Sequence, residues 1–356
     1  MKKNALIYHS DFRKYEFGPD HPLKGDRYKE LEKVFASRHL QRRKEDLTFV
    51  KPKPATVEDV KRAHSSDYIR LVETLNHKGG FLSRDTPFHP GLYDTARLFA
   101  GAQILAGRLV VKNLFQRAIV LGGAGHHAGY DFGGGFCIIN DMAIAVEYLR
   151  RNYNQSKILI LDIDAHCGNG TQNIFYNSSD VLCIDMHEDP LSLYPGTGFP
   201  EQIGLKKGKG YTVNIPFPAG SGDEDYICAF DRICKPIILE FQPQIIFVFG
   251  GVDPHFADPL THLNLTLNGM YELMKSISGL ADDICDGKVV LSLGASFAPK
   301  ILTLAWQVMI SAMLGIQDVK SSEPYELPEK VKGISDLVQQ MILRVINIQK
   351  KYWKNF

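Results

Sequence analysis

What most restricts the fold of this chain is a set of short apolar, β-branched runs that recur along it with helical stretches between them. Six read as strands, at 118–121, 157–162, 181–185, 211–215, 244–249 and 288–293. Most are continuous rather than alternating, the pattern of strands buried on both faces of a parallel sheet. Helical periodicity fills the gaps at 93–111, 141–152, 223–241, 268–284 and 299–315. The alternation predicts an α/β protein with a mainly parallel central sheet and helices on both faces. A length of 356 residues admits one large domain or two ordinary ones, and no repeat, low-complexity tract or linker divides them. One domain over 1–320 is therefore expected, with residues 1–90 as a more polar, decorated N-terminal part carrying loop signals at GPDHP and KPKP. Residues 321–356 form a C-terminal extension that opens on SSEPYELPEK. It is expected to end in a helix near 330–350 packed on the same domain.

Charge narrows the partners. Forty-one Lys+Arg stand against 40 Asp+Glu, a formal net charge of +1, which leaves no global footprint for nucleic acid or an anionic membrane. The six cysteines, at 137, 167, 183, 228, 234 and 285, form no C-x-x-C pair, and several sit in apolar runs as buried free thiols would. The opening MKKNALIYHS turns polar too soon for a secretory core, and no later run approaches membrane-spanning length,. The expectation is a reduced, cytoplasmic, soluble protein with no direct contact to nucleic acid or membrane; its oligomeric state is left open.

Ligands of open α/β sheets bind beyond the carboxyl ends of the strands, so the residues just past each strand are a test for function. After 118–121 comes GGAGHHAGYDFGGGF, after 157–161 DIDAHCGNG, and after 244–249 GGVDPHFADP. A strand period of two would turn Asp162, Asp164 and His166 to one side, letting Asp164 and His166 grip one metal. Asp253 from a neighbouring strand end supplies a third ligand. Two carboxylates and an imidazole suit a divalent ion with a position open for water, the catalytic rather than the structural zinc pattern. The adjacent His126 and His127 offer a general base, with Asp162 placed to orient one imidazole. A single Asp in such a loop commonly caps the next helix; coincidence at three strand ends favours a site. The glycine-rich run lacks the G-x-x-x-x-G-K-[ST] of a phosphate cradle,.

The segments GHHAGYDFGGGFCIIND, LDIDAHCGNGTQNIFY, YPGTG, GKGYTVNIPFPAGSGDEDY, GGVDPHFADPL and NLT resemble the zinc-dependent histone deacetylase family, including its bacterial acetoin-utilisation and acetylpolyamine-amidohydrolase relatives. The resemblance implies an arginase/deacetylase fold and hydrolysis of an acyl group from an amine, typically the ε-nitrogen of lysine. It implies Zn2+, one per chain, held by Asp164, His166 and Asp253, with His127 as main base and His126 as its partner under Asp162. Asn169 stands where the family often has an Asp or Asn behind the second His. Phe136 and Tyr194, with Gly135, would wall a narrow tube for an acyl-lysine chain, and Asp85 matches a rim aspartate that holds substrate backbone. A monovalent cation, K+ or Na+, is implied near the DxDxH backbone, where Asp185 replaces a frequent Ser; Cys167 separately replaces a His that commonly follows the ligand His166. The implied partners are an acylated lysine peptide or protein, or an acylated small amine. An acidic rim of Asp85, Asp131, Glu188 and Asp189 would suit a cationic one.

One departure matters chemically. The family's last motif ends in a tyrosine whose hydroxyl hydrogen-bonds the oxyanion, but VVLSLGASFAPKILTLAW places Phe297 there. Losing one such donor costs about 10²–10³ in rate. Three explanations are open: a deacylase that handles unusual acyl groups or recruits another donor such as Tyr130 or a substrate group, a weakly active binder of acyl-lysine, or an engineered trap. A di-manganese ureohydrolase of the arginase type shares the fold, yet Gly168 follows Cys167 where that class wants a second-metal Asp,.

Overall fold

The structure, a computed structural model, describes residues 3–41, 43–123, 125–294, 296–298, 300–317, 319, 321–328 and 335–356. Ten strands occur among them: β1 (Asn4–Ile7), β2 (Leu47–Val50), β3 (Gly80–Ser83), β4 (Thr86–Phe88), β5 (Arg117–Val120), β6 (Ile158–Asp162), β7 (Val181–Glu188), β8 (Thr212–Phe217), β9 (Ile245–Gly250) and β10 (Val289–Leu293). Eight make one parallel sheet in the order β2-β1-β5-β10-β9-β6-β7-β8, and β3 and β4 form a small antiparallel pair. The α/β architecture expected from the apolar runs is present, and residues of β5, β6, β9 and β10 are buried along their whole length.

Right-handed crossovers place the helices. From β2 through β5 to β8 the chain advances toward one edge, so Leu92–Val111, before β5, and Asp141–Tyr153, after it, which pack on each other, share one face. From β8 to β10 it returns, putting Leu267–Cys285 and its neighbour Ile301–Met313 on the other. β5 and β6 are consecutive in the main part of the sheet, yet β10 and β9 lie between them. A crevice opens where crossover directions reverse. It lies over the carboxyl ends of β5, β10, β9 and β6.

Several boundaries differ from the sequence reading. β1 and β2 are absent from it, because ALIY reads there only as a leader cut short and four-residue strands carry little pattern. β7 runs on to Glu188 through buried His187, whose burial rests on hydrogen bonds rather than apolarity. The stretch read as one helix at 223–241 contains a π-turn over Phe230–Cys234. The helices Ser66–Lys78 and Asn169–Phe175 are further additions. The terminal helix is Asp336–Gln349; 330–334 lie outside the described residues. All six cysteines are unpaired, and among the described residues no helix is long and apolar enough to cross a membrane.

Candidate active site

β6 ends at Asp162, so Asp164 and His166 sit in the loop beyond it and no strand period aligns them. Hydrogen bonds align them instead. The Asp164 N–H donates to Asp162 Oδ1 (3.0 Å) and the His166 N–H to Asp164 Oδ1 (2.9 Å), while the Ala165 N–H reaches Asp253 Oδ1 (2.9 Å) across the crevice. Glycine is required at 251, where a Cβ would lie 2.4 Å from Asp164 Oδ2 and 2.5 Å from its Cα. Only with that close approach do the loops after β6 and β9 interlock.

His166 Nδ1 lies 2.7 Å from Asp253 Oδ2 and 3.2 Å from Asp164 Oδ1. One ligand atom from each of Asp164, His166 and Asp253 falls within 4.8 Å of the others. Burial works against a charged imidazole here, but the two carboxylates outweigh it and push His166 well above its ordinary range. An imidazole nitrogen converging with two carboxylates from separate loops suits a divalent cation as well as it suits a proton. The set, three protein ligands bordering a cavity, fits an ion with a position left for water or substrate,.

Beside it the two imidazoles lie 4.0 Å apart and differ sharply. His126 Nδ1 is 2.9 Å from Asp162 Oδ2. Burial disfavours its charge, yet the Asp162 and Asp164 carboxylates prevail and raise it to about 9. His127 Nδ1 is 2.8 Å from Asn169 Oδ1. An amide oxygen only accepts, so Nδ1 carries the proton and Nε2 is the basic nitrogen. Burial first, and then the charges of His126 and His166, hold His127 well below 6.5, with the Asn169 bond offsetting only part.

These groups border a cavity of about 370 Å³ that Asp85, Gly135, Phe136, Tyr194 and Phe297 also line. Tyr194, 45 % exposed, stands toward solvent with its ring 5.0 Å from that of His127. Phe136 and Phe297 face each other at 6.0 Å. Gly135 and Phe136 are consecutive left-handed residues, φ 54° and 66°. A Cβ on Gly135 would strike the His127 ring at 2.4 Å. The Phe136 N–H donates to Thr86 Oγ1 (3.1 Å) and its carbonyl accepts from the Tyr15 hydroxyl (2.8 Å), which fixes this wall.

Some expectations need correction. Asp85 is not free at the rim: it accepts from Ser83 Oγ (2.5 Å), Thr86 Oγ1 (2.9 Å) and, through both oxygens, the Gly135 N–H (3.2 Å). Burial would raise its pKa, but those hydrogen bonds hold it below the ordinary value. Glu188, 1 % exposed, is no rim charge either; it accepts from Ser192 and His262. Tyr130 is 52 % exposed and does not line the cavity. His187 bridges Asp185 (2.6 Å) and the Gly198 carbonyl (3.0 Å), and Cys167 accepts from Gln172, which also reaches Asp185 and Asn214. Sequence reasoning missed Asp258, which takes the Phe297 N–H and the Ser296 hydroxyl, each at 2.8 Å. It also missed Tyr15, Arg27 and Phe99 in the cavity wall. Tyr15, Arg27 and Phe99 come from parts of the chain with no strand-end signal, whereas Asp258 lies within the strand-end segment GGVDPHFADP without a ligand or base pattern to single it out.

Comparison with known proteins finds relatives of the whole chain. The histone deacetylase domain model matches residues 21–313. A probable deacetylase of Archaeoglobus fulgidus is 39 % identical across 99 % of each chain. Acetoin utilization protein AcuC of Staphylococcus xylosus is 34 % identical, covering 91 % of this chain and 86 % of that one. The crystal structure of the HDA15 HD domain superposes with a TM-score of 0.86 at 26 % identity, over 100 % of this chain and 97 % of the other.

Proposed function

This chain belongs to the histone deacetylase family, and from that premise we propose that it is a zinc-dependent amidohydrolase that removes an acyl group from an amine such as the lysine side chain. The observation that carries the reading is the convergence of Asp164, His166 and Asp253 within 4.8 Å on a cavity that also holds His127. Zinc bound by these three would polarise the amide carbonyl and acidify an attacking water.

The protein's own groups divide the remaining work. His127, uncharged and with Nε2 basic, takes the proton of the water and returns one to the departing amine,. His126, kept protonated by Asp162, adds positive charge beside developing negative charge,. Phe136, Tyr194 and Phe297 hold the methylene chain in an apolar sleeve. A monovalent cation, K+ or Na+, beside the DxDxH backbone belongs to the same reading, with Asp185 offering a carboxylate there. Cytoplasmic location and an acylated lysine peptide or small acylated amine as partner complete it.

The test is hydrolysis of an acetyl-lysine peptide alongside metal analysis. The intact chain should carry one zinc and turn over; Asp164→Ala should lose both zinc and turnover. Zinc retained at wild-type stoichiometry by Asp164→Ala would refute the ligand assignment. A second reading, acyl-lysine binding without turnover, is favoured by Phe297, which offers no hydroxyl to an oxyanion. Peptide affinity with no product would select it.

A further inference from the structure

The turn that carries Asp253 is braced by a residue from beyond the matched family domain, which ends at 313. His255 is fully buried, two positions after Asp253. Its Nδ1 accepts the Ala257 N–H (3.1 Å), which fixes the proton on Nε2,. That Nε2–H donates to Glu323 Oε2 at 3.0 Å. The other oxygen, Oε1, accepts the N–H of Leu267 at 2.7 Å, the first residue of the helix Leu267–Cys285. Both oxygens of one carboxylate therefore satisfy donors that would otherwise be left unpaired, one on a buried imidazole and one at a helix start.

The braced turn serves two site residues. Asp253 leaves it toward His166, and Asp258, whose N–H donates to the His255 carbonyl (2.8 Å), leaves it toward Phe297. Leu265 pairs with His255 as an isolated bridge, and the Thr261 hydroxyl closes on the Asp253 carbonyl at 2.6 Å. These contacts tie the turn into a loop whose far end is the Leu267 helix, and Glu323 clamps both ends at once.

We propose that Glu323 is a positioning residue for the candidate metal centre: the C-terminal extension holds Asp253 in ligating geometry through His255. The inference rests on the reading of Asp253 as a ligand. Outer partners of metal ligands change affinity by about 10–100-fold when removed, so Glu323→Ala should weaken zinc binding about tenfold in a chelator competition on the full chain. Amide exchange over 254–258 should quicken in parallel. Glu323→Gln keeps one of the two acceptor contacts and should fall between, and it reads the same effect should the alanine variant not fold. Exposed Glu326→Gln is the control and should match wild type. His255→Ala combined with Glu323→Ala should be no weaker than the weaker single variant, because both remove one brace. Zinc affinity of Glu323→Ala within twofold of wild type, while Asp253→Ala loses zinc, overturns the proposal alone. Wild-type zinc affinity in Asp253→Ala overturns the ligand reading and this inference with it.

Discussion

Phe297 is where the proposed chemistry can be tested at a single ring. Its backbone is pinned by Asp258 (2.8 Å) and its ring faces Phe136 across the cavity (6.0 Å), so a hydroxyl added at the ring would project from a fixed frame. Phe297→Tyr is expected to raise acetyl-lysine hydrolysis at least about tenfold, short of the full 10²–10³ of an optimised oxyanion donor, with zinc content unchanged. An unaltered rate in Phe297→Tyr beside an inactive Asp164→Ala would mean that another group donates. At this scale the residue types and strand-end positions were legible, because histidines and carboxylates after buried strands stand out against an apolar background. The geometry was not. Asp164 and His166 meet through loop hydrogen bonds that only the folded backbone reveals, and Asp258 acts on a backbone N–H that no side-chain motif announces.

Between elements, one buried imidazole joins the two ends of the loop Gly129–Asn140 that builds the cavity wall. His64, 1 % exposed, meets the Gly129 carbonyl at 2.8 Å through Nδ1 and takes the Asn140 N–H at 2.9 Å on Nε2. Accepting on Nε2 requires the neutral form, and burial lowers the pKa to about 4, from 6.5. The native value is depressed, so the unfolded chain takes up the proton first and stability falls as pH drops through the window from 6.5 to 4. At about 1.4 kcal/mol per pH unit, this one group should contribute ~3 kcal/mol of acid destabilisation by pH 4. Denaturant unfolding of wild type and His64→Gln at several pH values checks it: the glutamine variant should be weaker at pH 7 and should lose this part of the slope below 6.5. A parallel decline in both proteins would place the acid sensitivity elsewhere. Six of the eight sheet strands were legible as apolar runs; β1 and β2 were not, since four residues at or near a sheet edge hold too few side chains to show a period.

For the whole molecule, two of the places where the C-terminal extension meets the body have different physical consequences. One is Glu323, beneath the turn of Asp253. The other lies at the far edge of the sheet, where Trp353, 6 % exposed, packs its ring 5.2 Å from Tyr211 and 6.2 Å from Phe241. Its indole N–H donates to the Gly210 carbonyl (3.0 Å), and Gln349 reaches the Thr212 carbonyl (3.2 Å) at the start of edge strand β8. Removing the ring opens a cavity and leaves a buried carbonyl without its donor, so Trp353→Ala should lower unfolding free energy by about 3–5 kcal/mol. Trp353→Phe, which keeps most of the packing and loses the N–H, should cost ~1 kcal/mol. β7 and β6 separate that edge from β9, so folded Trp353→Ala should bind zinc with wild-type affinity. Urea midpoints paired with chelator competition separate the two anchors. Stability lost without zinc affinity at Trp353, against zinc affinity lost together with stability at Glu323, whose removal leaves a buried donor unpaired, is the result expected of an extension that both covers a sheet edge and braces a site. Equal loss of both quantities in both variants would instead make the extension one cooperative unit with the site, because neither anchor could then be released without the other.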